Sequence, residues 1–284
     1  MINKLFIRGF IILASFFGLW LLLQQINWIG IFHIEKLQNN KFTERVETEL
    51  GELMLREFKK ENDELENHYV TQTLDSLVTK ICQANDISTE TLRVYIFESD
   101  DVNAFALPDR QLVVYTGLIS QTESPEALSG VIAHELAHIE QRHVIKSLVR
   151  EMGLSVLFAL VSGQSDFSVM GDIIQMVSSS AFSREMEKEA DLLGVNYLLN
   201  AKIDPKPFAD FMRGLSKGEF SALKWISSHP MSKEREKYII KSIENKKVTF
   251  ESVIAPETWQ SFKDEVSSSD ETIEFTDSES ENNN

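Results

Sequence analysis

Two histidines four residues apart, with a glutamate directly after the first, set the strictest requirement on the fold of this chain. They belong to the segment His134-Glu135-Leu136-Ala137-His138. In an α-helix, residues four apart lie one above the other on the same face, so His134 and His138 can direct their ring nitrogens at one metal ion. Glu135 is rotated by about 100° around the helix axis. From there it can reach a water molecule bound to the ion, but it is badly placed to be a ligand. The segment therefore predicts a helix that binds a metal ion.

The helix that this prediction requires has a clear start. Ser124 followed by Pro125 provides a side-chain cap and then a proline at the first helical position. We expect the helix to run from Pro125 to about Met152. His143 comes five residues after His138 and should point away from the ligand face, which favours a structural role for His143.

A zinc ion in a catalytic site normally takes three protein ligands, so the two histidines need a third ligand from elsewhere. Glu187 and Asp191 are spaced to share one face of a helix that Ser183 caps. One of them can bind zinc while the other accepts a hydrogen bond from the second ring nitrogen of a ligand histidine. Glu189 is an alternative third ligand, but the i,i+4 partner favours Glu187. With Glu135 as general base, the pattern is typical of a zinc metallopeptidase. The competing interpretation is a charged, exposed helix face with incidental histidines.

A small sheet is predicted ahead of the metal-binding helix. Helical periodicity covers residues 43–60 and 66–85, and strand-forming residues then dominate residues 92–97, 103–107 and 111–115. Pro108-Asp109-Arg110 makes a turn between the last two runs. We expect an antiparallel sheet whose last hairpin leads into the metal-binding helix. Its edge strand can hold an extended peptide by main-chain hydrogen bonds, and a purely structural hairpin fits the sequence equally well.

The segments after the metal-binding helix are predicted to be helical. Apolar runs at 154–160 and 169–177 are too short to span a bilayer. They fit buried helices, with a mobile flap over the cleft as the alternative. Further helices are expected from Ser183 to about Asn200, from Asp204-Pro205 onward, and over residues 232–246.

The first 32 residues have the pattern of a membrane segment. Residues 9–23 carry no charge and follow Lys4 and Arg8, and continuing to Ile29 gives the length that a bilayer requires. No small-residue cleavage site follows this run, which favours an uncleaved anchor over a signal peptide. The basic residues ahead of it predict a cytoplasmic N-terminus and a catalytic domain on the extracytoplasmic, periplasmic side. A cleaved, secreted form is the alternative.

Charge and cysteine content exclude several kinds of partner and of metal site. A formal charge of −16 argues against nucleic acid as a partner, because two polyanions repel each other. Asp264 to Asn284 contains eight acidic residues and no lysine or arginine, and we predict an acidic, disordered tail over residues 251–284. The single cysteine, Cys82, permits neither an intramolecular disulfide nor a thiolate zinc site. We expect Cys82 to be a small core residue.

Several motifs occur in a characteristic order along the chain. The segments NAFALP, a strand ending in YTGL, HELAH, FSREMEKEAD and SHPMSKER follow one another from residue 103 to residue 235. This order, over roughly residues 92–238, resembles the zinc metallopeptidase family of the HtpX heat-shock protease, the CAAX prenyl proteases and the BepA-type periplasmic peptidases. Asp109-Arg110 replaces the glycines that usually follow the first motif. A short member of the family with a single anchor is the closest description.

The resemblance implies roles for individual residues. The zinc ligands, the catalytic base and the aspartate that supports a ligand correspond to His134, His138, Glu187, Glu135 and Asp191. His229 is implied to lie near the active site, where it is either a helping catalytic donor or an inhibitory fourth ligand. Arg235 matches the arginine after that motif and is a further possible site residue. Asn103, Ala104, Phe105 and Ala106 would form the substrate strand.

We therefore predict an α+β, mainly helical fold with a zincin-like (gluzincin) catalytic domain, a small antiparallel sheet and an N-terminal membrane anchor. The expected segments are the anchor at 1–32, a helical N-terminal part at 33–90, the peptidase core at 91–250 and the tail at 251–284. The predicted function is a zinc-dependent endopeptidase, with one Zn²⁺ per chain, acting on unfolded or extended polypeptides such as misfolded or misassembled envelope proteins. The alternative is a chaperone-like envelope protein with a structural or autoinhibited zinc site.

Overall fold

A computed structural model describes the chain at residues 41–153, 156, 157, 162, 182–217, 225, 229, 233–244 and 246–281, the side chains of 41, 42, 233 and 269–281 excepted. The chain divides into two compact units, residues 1–44 and 45–284. The predicted anchor at residues 1–32 lies outside the described residues, and so does most of the apolar runs at 154–160 and 169–177. No helix within the described residues has the length and hydrophobicity needed to cross a bilayer.

The described residues are mainly helical and include one small sheet, as the sequence predicts. The elements in chain order are α1 (Lys41–Glu61), α2 (His68–Ala84), β1 (Arg93–Phe97), β2 (Ala104–Leu107), β3 (Gln111–Tyr115), α3 (Thr116–Gln121), α4 (Pro125–Glu140), α5 (His143–Met152), α6 (Arg184–Asn200), α7 (Lys206–Lys217), α8 (Lys233–Ile243) and α9 (Pro256–Glu281). The predicted helices and strands correspond to these elements within a few residues, except that the sequence predicts one long helix where α4 and α5 lie. Helices α3 and α9 are not predicted from the sequence.

Helix α4 carries the HELAH segment through the centre of the second unit. Ser124 caps it by accepting a hydrogen bond from the Ala127 N–H, and Pro125 occupies the first turn, as predicted. Every residue from Pro125 to Ile139 except the partly exposed Glu126 is buried. Helix α6 lies directly against it, because a Cβ at Gly194 would stand only 3.1 Å from the His134 backbone nitrogen. A larger residue at position 194 would therefore push α6 away from the metal-binding helix.

The prediction that this helix continues to Met152 is wrong. Helix α4 ends at Glu140, and Arg142 adopts a left-handed conformation (φ 53°) before α5 begins at His143. The Arg142 guanidinium forms a part-buried ion pair with Glu47 on α1. This long-range contact fixes the break at a residue that has good helix propensity, so local sequence gives no sign of it.

The sheet is mixed, so the prediction of an antiparallel sheet is only partly right. The strand order is β1-β3-β2, with β2 antiparallel and β1 parallel to β3. Residues 98–103 therefore cross the end of β3. Thr116 holds this crossing through two hydrogen bonds with the Ser99 backbone, and a Cβ at Gly117 would overlap the Asp100 carbonyl. The Thr116-Gly117 pair thus explains how the chain that follows β1 crosses to β2 on the far side of β3.

The β2–β3 turn contains two non-glycine residues in left-handed conformation. Asp109 has φ 62° and Arg110 has φ 55°. Such conformations cost on the order of 1–3 kcal/mol each. Side-chain contacts offset that cost: Asp109 accepts a hydrogen bond from Thr48 (3.0 Å) and pairs with Arg93, and Arg110 pairs with Glu140.

The C-terminal segment corrects the prediction of a disordered tail. Residues 256–281 form helix α9. Trp259, Phe262 and Val266 are buried on one face of α9, which contacts α2 and α3. Their spacing forms an apolar stripe along one face of the helix. The overall composition of the segment does not reveal this stripe, because acidic and serine residues surround it. Cys82 lies fully buried on α2, as expected.

Candidate metal centre

Helices α4 and α6 bring the three predicted ligands together. Glu187 lies in the first turn of α6, where the Ser183 side chain caps the helix. The Nε2 atoms of His134 and His138 lie 3.1 Å apart, and Glu187 Oε1 is 3.4 Å from His138 Nε2. Glu187 Oε2 is 3.7 Å from His134 Nε2. All three side chains are at most 2 % exposed, so the alternative of a solvated helix face does not describe this cluster.

A fourth donor, His229, completes the cluster. Its Nδ1 lies 3.2 Å from His134 Nε2 and 3.1 Å from Glu187 Oε1. The Trp225 ring stacks on the His229 ring at a centroid distance of 4.1 Å, and the His229 N–H bonds to the Trp225 carbonyl. Sequence motif alone suggested His229, but Trp225, its stacking partner, was not foreseen.

The donor set fits a zinc ion. His134, His138, Glu187 and His229 each offer one ligand atom, and these atoms lie within 4.8 Å of one another. A tetrahedral zinc with bonds of about 2.0–2.1 Å to nitrogen separates its ligand atoms by about 3.3 Å. The observed separations of 3.1–3.4 Å between neighbouring donors approach this value. Burial lowers the pKa of His138 well below its ordinary value, so its ring is neutral and keeps a lone pair for a metal.

Asp191 and Arg235 support the cluster from behind. Asp191 Oδ1 lies 2.9 Å from His134 Nδ1, the predicted arrangement for a supporting carboxylate. Arg235 donates two hydrogen bonds of 2.8 Å to the Asp191 carboxylate, and its Nη1 lies 2.7 Å from Glu187 Oε2. The Tyr238 hydroxyl also donates to Asp191, a contact that the sequence did not suggest. Burial would raise the pKa of Asp191, but Arg235 and His134 hold it well below its ordinary value.

Glu135 faces the same cluster from α4. Its Oε1 lies 3.4 Å from His229 Nε2, and the side chain is completely buried. Burial raises the pKa of the Glu135 carboxyl, while His229, His134 and the backbone amide of Ala106 lower it, and the net direction is upward. A raised pKa makes the carboxylate a stronger base than an ordinary glutamate, as a general base requires.

The predicted substrate strand runs beside this base. Asn103 directly precedes β2, and Ala104, Phe105 and Ala106 belong to it. β2 pairs with β3 on one side, and the described residues place no strand on its other side. All four residues are at most 1 % exposed, and neither side-chain polar atom of Asn103 has a hydrogen-bond partner within the described part of the chain.

His143 lies in the site, against the prediction that it points away. Its Nδ1 is 3.1 Å from Nδ1 of His138, and its Nε2 is 3.4 Å from Glu189 Oε2. A continuous helix would turn His143 away from His138, but the break at Arg142 redirects it. Glu189, considered as a third ligand, contacts His143 instead of the ligand cluster.

Comparison with known proteins finds matches to peptidases, in agreement with the geometry of the metal centre. The profile of peptidase family M48 matches residues 65–243. The mitochondrial metalloendopeptidase OMA1 of Arabidopsis thaliana is 34% identical over 151 residues, which are 51% of this chain and 30% of that protein. OMA1 of Schizosaccharomyces pombe is 27% identical over 252 residues, 85% of this chain and 71% of that protein. The beta-barrel assembly-enhancing protease of Escherichia coli K12 is 23% identical over 206 residues, 66% of this chain and 42% of that protein. The matched region is thus less than half of the Arabidopsis and E. coli proteins.

Proposed function

Because this chain belongs to peptidase family M48, a family of zinc metallopeptidases, we propose that it is a zinc-dependent endopeptidase. His134, His138 and Glu187 hold the ion, and Glu135 is the general base. The observation that carries the proposal is the buried cluster itself, with its donor atoms within 4.8 Å of one another. A base with a raised pKa lies against this cluster, and a structural metal site has no need of one.

The residues around the ion have separate roles in peptide hydrolysis. Bound zinc supplies Lewis-acid activation of water and of the peptide carbonyl. Glu135 accepts the proton of the attacking water at a carboxylate oxygen and passes it to the leaving amine. Asp191 holds His134 in one ring orientation through Nδ1, and Arg235 holds Asp191 and Glu187 in turn.

We place the substrate along β2. A peptide lying antiparallel to β2 would form main-chain hydrogen bonds along the edge of β2 opposite β3, where the described residues place no strand. The Ala106 backbone is close enough to the Glu135 carboxyl to affect its pKa, so a peptide bound there would pass beside the base. Main-chain binding favours unfolded or extended polypeptides, because a folded substrate has no free strand to offer.

The structure has a closed arrangement, which favours the inhibitory role of His229. A catalytic zinc keeps one position open for water, but His229 Nδ1 approaches two of the three other donors. The residues from Asn103 to Ala106 are also buried. The same observation supports the second candidate, a chaperone-like protein whose zinc site is permanently closed.

Replacing His229 with alanine separates these roles. If His229 closes the site, His229→Ala should raise kcat/KM for cleavage of unfolded casein by about tenfold or more. If His229 is a helping donor, the same change should lower kcat by about 10²–10³-fold. The control is His68→Ala, which removes an exposed histidine at the start of α2 and should leave the rate unchanged. A zinc-loaded, folded His229→Ala protein that still cleaves nothing would support the chaperone-like candidate.

Substrate and location are proposed from the sequence together with the relatives. We propose that the chain is anchored by residues 1–32 with its catalytic domain on the extracytoplasmic side, and that it acts on misfolded or misassembled envelope proteins. The support is the uncharged run of residues 9–23 and the name of the beta-barrel assembly-enhancing protease. Labelling of single cysteines placed on either side of the run, in a Cys82→Ser background, would show which side each end occupies.

Metal removal tests the proposed activity directly. Treating the full-length chain with a strong zinc chelator should reduce cleavage of unfolded casein to background. One equivalent of zinc should then restore it, because the ligands remain in place on the folded protein. The His229→Ala protein is measured in parallel, in case the closed site limits the wild-type rate. Cleavage that persists in the metal-free protein would exclude zinc catalysis.

A further inference from the structure

We propose that His143 is a positioning residue for His138: its Nδ1 accepts a hydrogen bond from Nδ1–H of His138, and Glu189 holds the far side of the His143 ring. This inference rests on the zinc site proposed above and adds to it a support for the second ligand histidine. Residue 143 lies beyond the HELAH segment, and helical spacing argues against a role for it.

The backbone conformation between α4 and α5 places His143 in the site. Five residues along a continuous helix correspond to a rotation of about 140° away from His138. The helix instead closes at Arg142, whose N–H bonds to the Ile139 carbonyl at 2.9 Å while its φ is 53°. The Arg142–Glu47 ion pair stabilises that left-handed residue. His143 therefore starts α5 with its ring against the ring of His138, at a centroid distance of 4.9 Å.

The hydrogen-bond directions follow from the position of the ligand cluster. Nε2 of His138 faces His134 and Glu187, so it keeps its lone pair there and the ring proton lies on Nδ1. Nδ1 of His143, 3.1 Å away, must then accept. This leaves the proton of the neutral His143 ring on Nε2, which points at the Glu189 carboxylate 3.4 Å away.

The two ligand histidines thus have different supports. Asp191 contacts His134 directly, whereas a neutral ring lies between His138 and the half-exposed Glu189. The Phe182 ring packs on His138 at 4.2 Å and His143 is 1 % exposed, so water is a poor substitute for the His143 acceptor. Partners of this kind change metal affinity by about 10–100-fold when they are removed.

Zinc affinity of the full-length chain tests the inference, measured by competition with a chelator of known affinity. His143→Leu removes the acceptor and should weaken zinc binding by about 10–100-fold. His143→Asn places an amide oxygen close to the position of Nδ1 and should restore affinity to within about threefold of the wild type. Thermal unfolding of the metal-free proteins accompanies both, because a purely structural role would lower their stability without changing the affinity of the folded protein.

The possible results distinguish a failure of this inference from a failure of the proposed peptidase activity. Equal affinities for wild type and His143→Leu, or equal losses for Leu and Asn, would overturn the inference and leave the proposed peptidase activity untouched. A wild-type chain that binds no zinc would overturn both. If His143→Leu does not fold, Glu189→Gln is compared with Glu185→Gln, which changes an exposed glutamate on the same helix. A loss of about threefold or more with Glu189→Gln alone supports the inference, and equal affinities contradict it.

Discussion

Replacing Glu135 with glutamine is expected to lower kcat/KM for cleavage of an unfolded polypeptide by about 10²–10⁴-fold while zinc stays bound. Glutamine keeps the shape of the side chain but cannot accept the proton of the attacking water. Glu135 is not among the four donors that surround the ion position, so metal affinity should change little. Folding should not suffer, because the substitution removes a completely buried charge that burial already disfavours.

A matched control is available on the same helix. Glu126 lies in the first turn of α4, is partly exposed and is remote from the metal-binding segment. Glu126→Gln should leave the rate of proteolysis within about twofold of the wild type. Both variants are measured zinc-loaded, also in the His229→Ala background if wild-type activity is low. Proteolysis by Glu135→Gln at more than about a third of the parent rate would rule out Glu135 as the base.

The parts of the site that sequence predicts are those in which spacing along one helix decides geometry. Four-residue spacing alone places His134 over His138 and Glu187 beside Asp191. In the structure the two histidine Nε2 atoms lie 3.1 Å apart, and both carboxylates pair with Arg235. The cap at Ser124 is equally local. How α4 and α6 meet is not local, but it needs only a small residue at the crossing, which Gly194 provides.

The features that sequence missed depend on contacts between distant segments. The break at Arg142 is stabilised by Glu47, far away in sequence, so periodicity extended the helix and turned His143 outward. The position of β1 depends on the crossing of residues 98–103 over Thr116 and Gly117, and strand propensity carries no information about it. His229 and Arg235 came from the motif resemblance alone, because no periodicity links them to ligand residues on distant segments of the chain.

The largest loss of stability is expected when Arg235 is replaced. Arg235→Met should lower the free energy of unfolding of the metal-free protein by about 3–5 kcal/mol, because it leaves the buried carboxylates of Asp191 and Glu187 without their cation. Methionine fills most of the volume, so the loss reports charge more than packing. For a domain of this size, the melting temperature should fall by roughly 6–20 °C. Adding Asp191→Asn to Arg235→Met should recover part of the loss, since one uncompensated charge is then removed.

Arg213→Met is the matched control, because this arginine also joins two helices through acidic partners. It pairs with Asp210 on its own helix α7 and approaches Glu236 on α8 at 3.5 Å, but its side chain is 42% exposed. Ion pairs with such exposure contribute at most about 1 kcal/mol. Chemical unfolding of both variants without metal should therefore separate them clearly. If Arg235→Met and Arg213→Met destabilise the protein equally, Arg235 is not compensating the buried carboxylates, and the support assigned to it behind the metal centre is wrong.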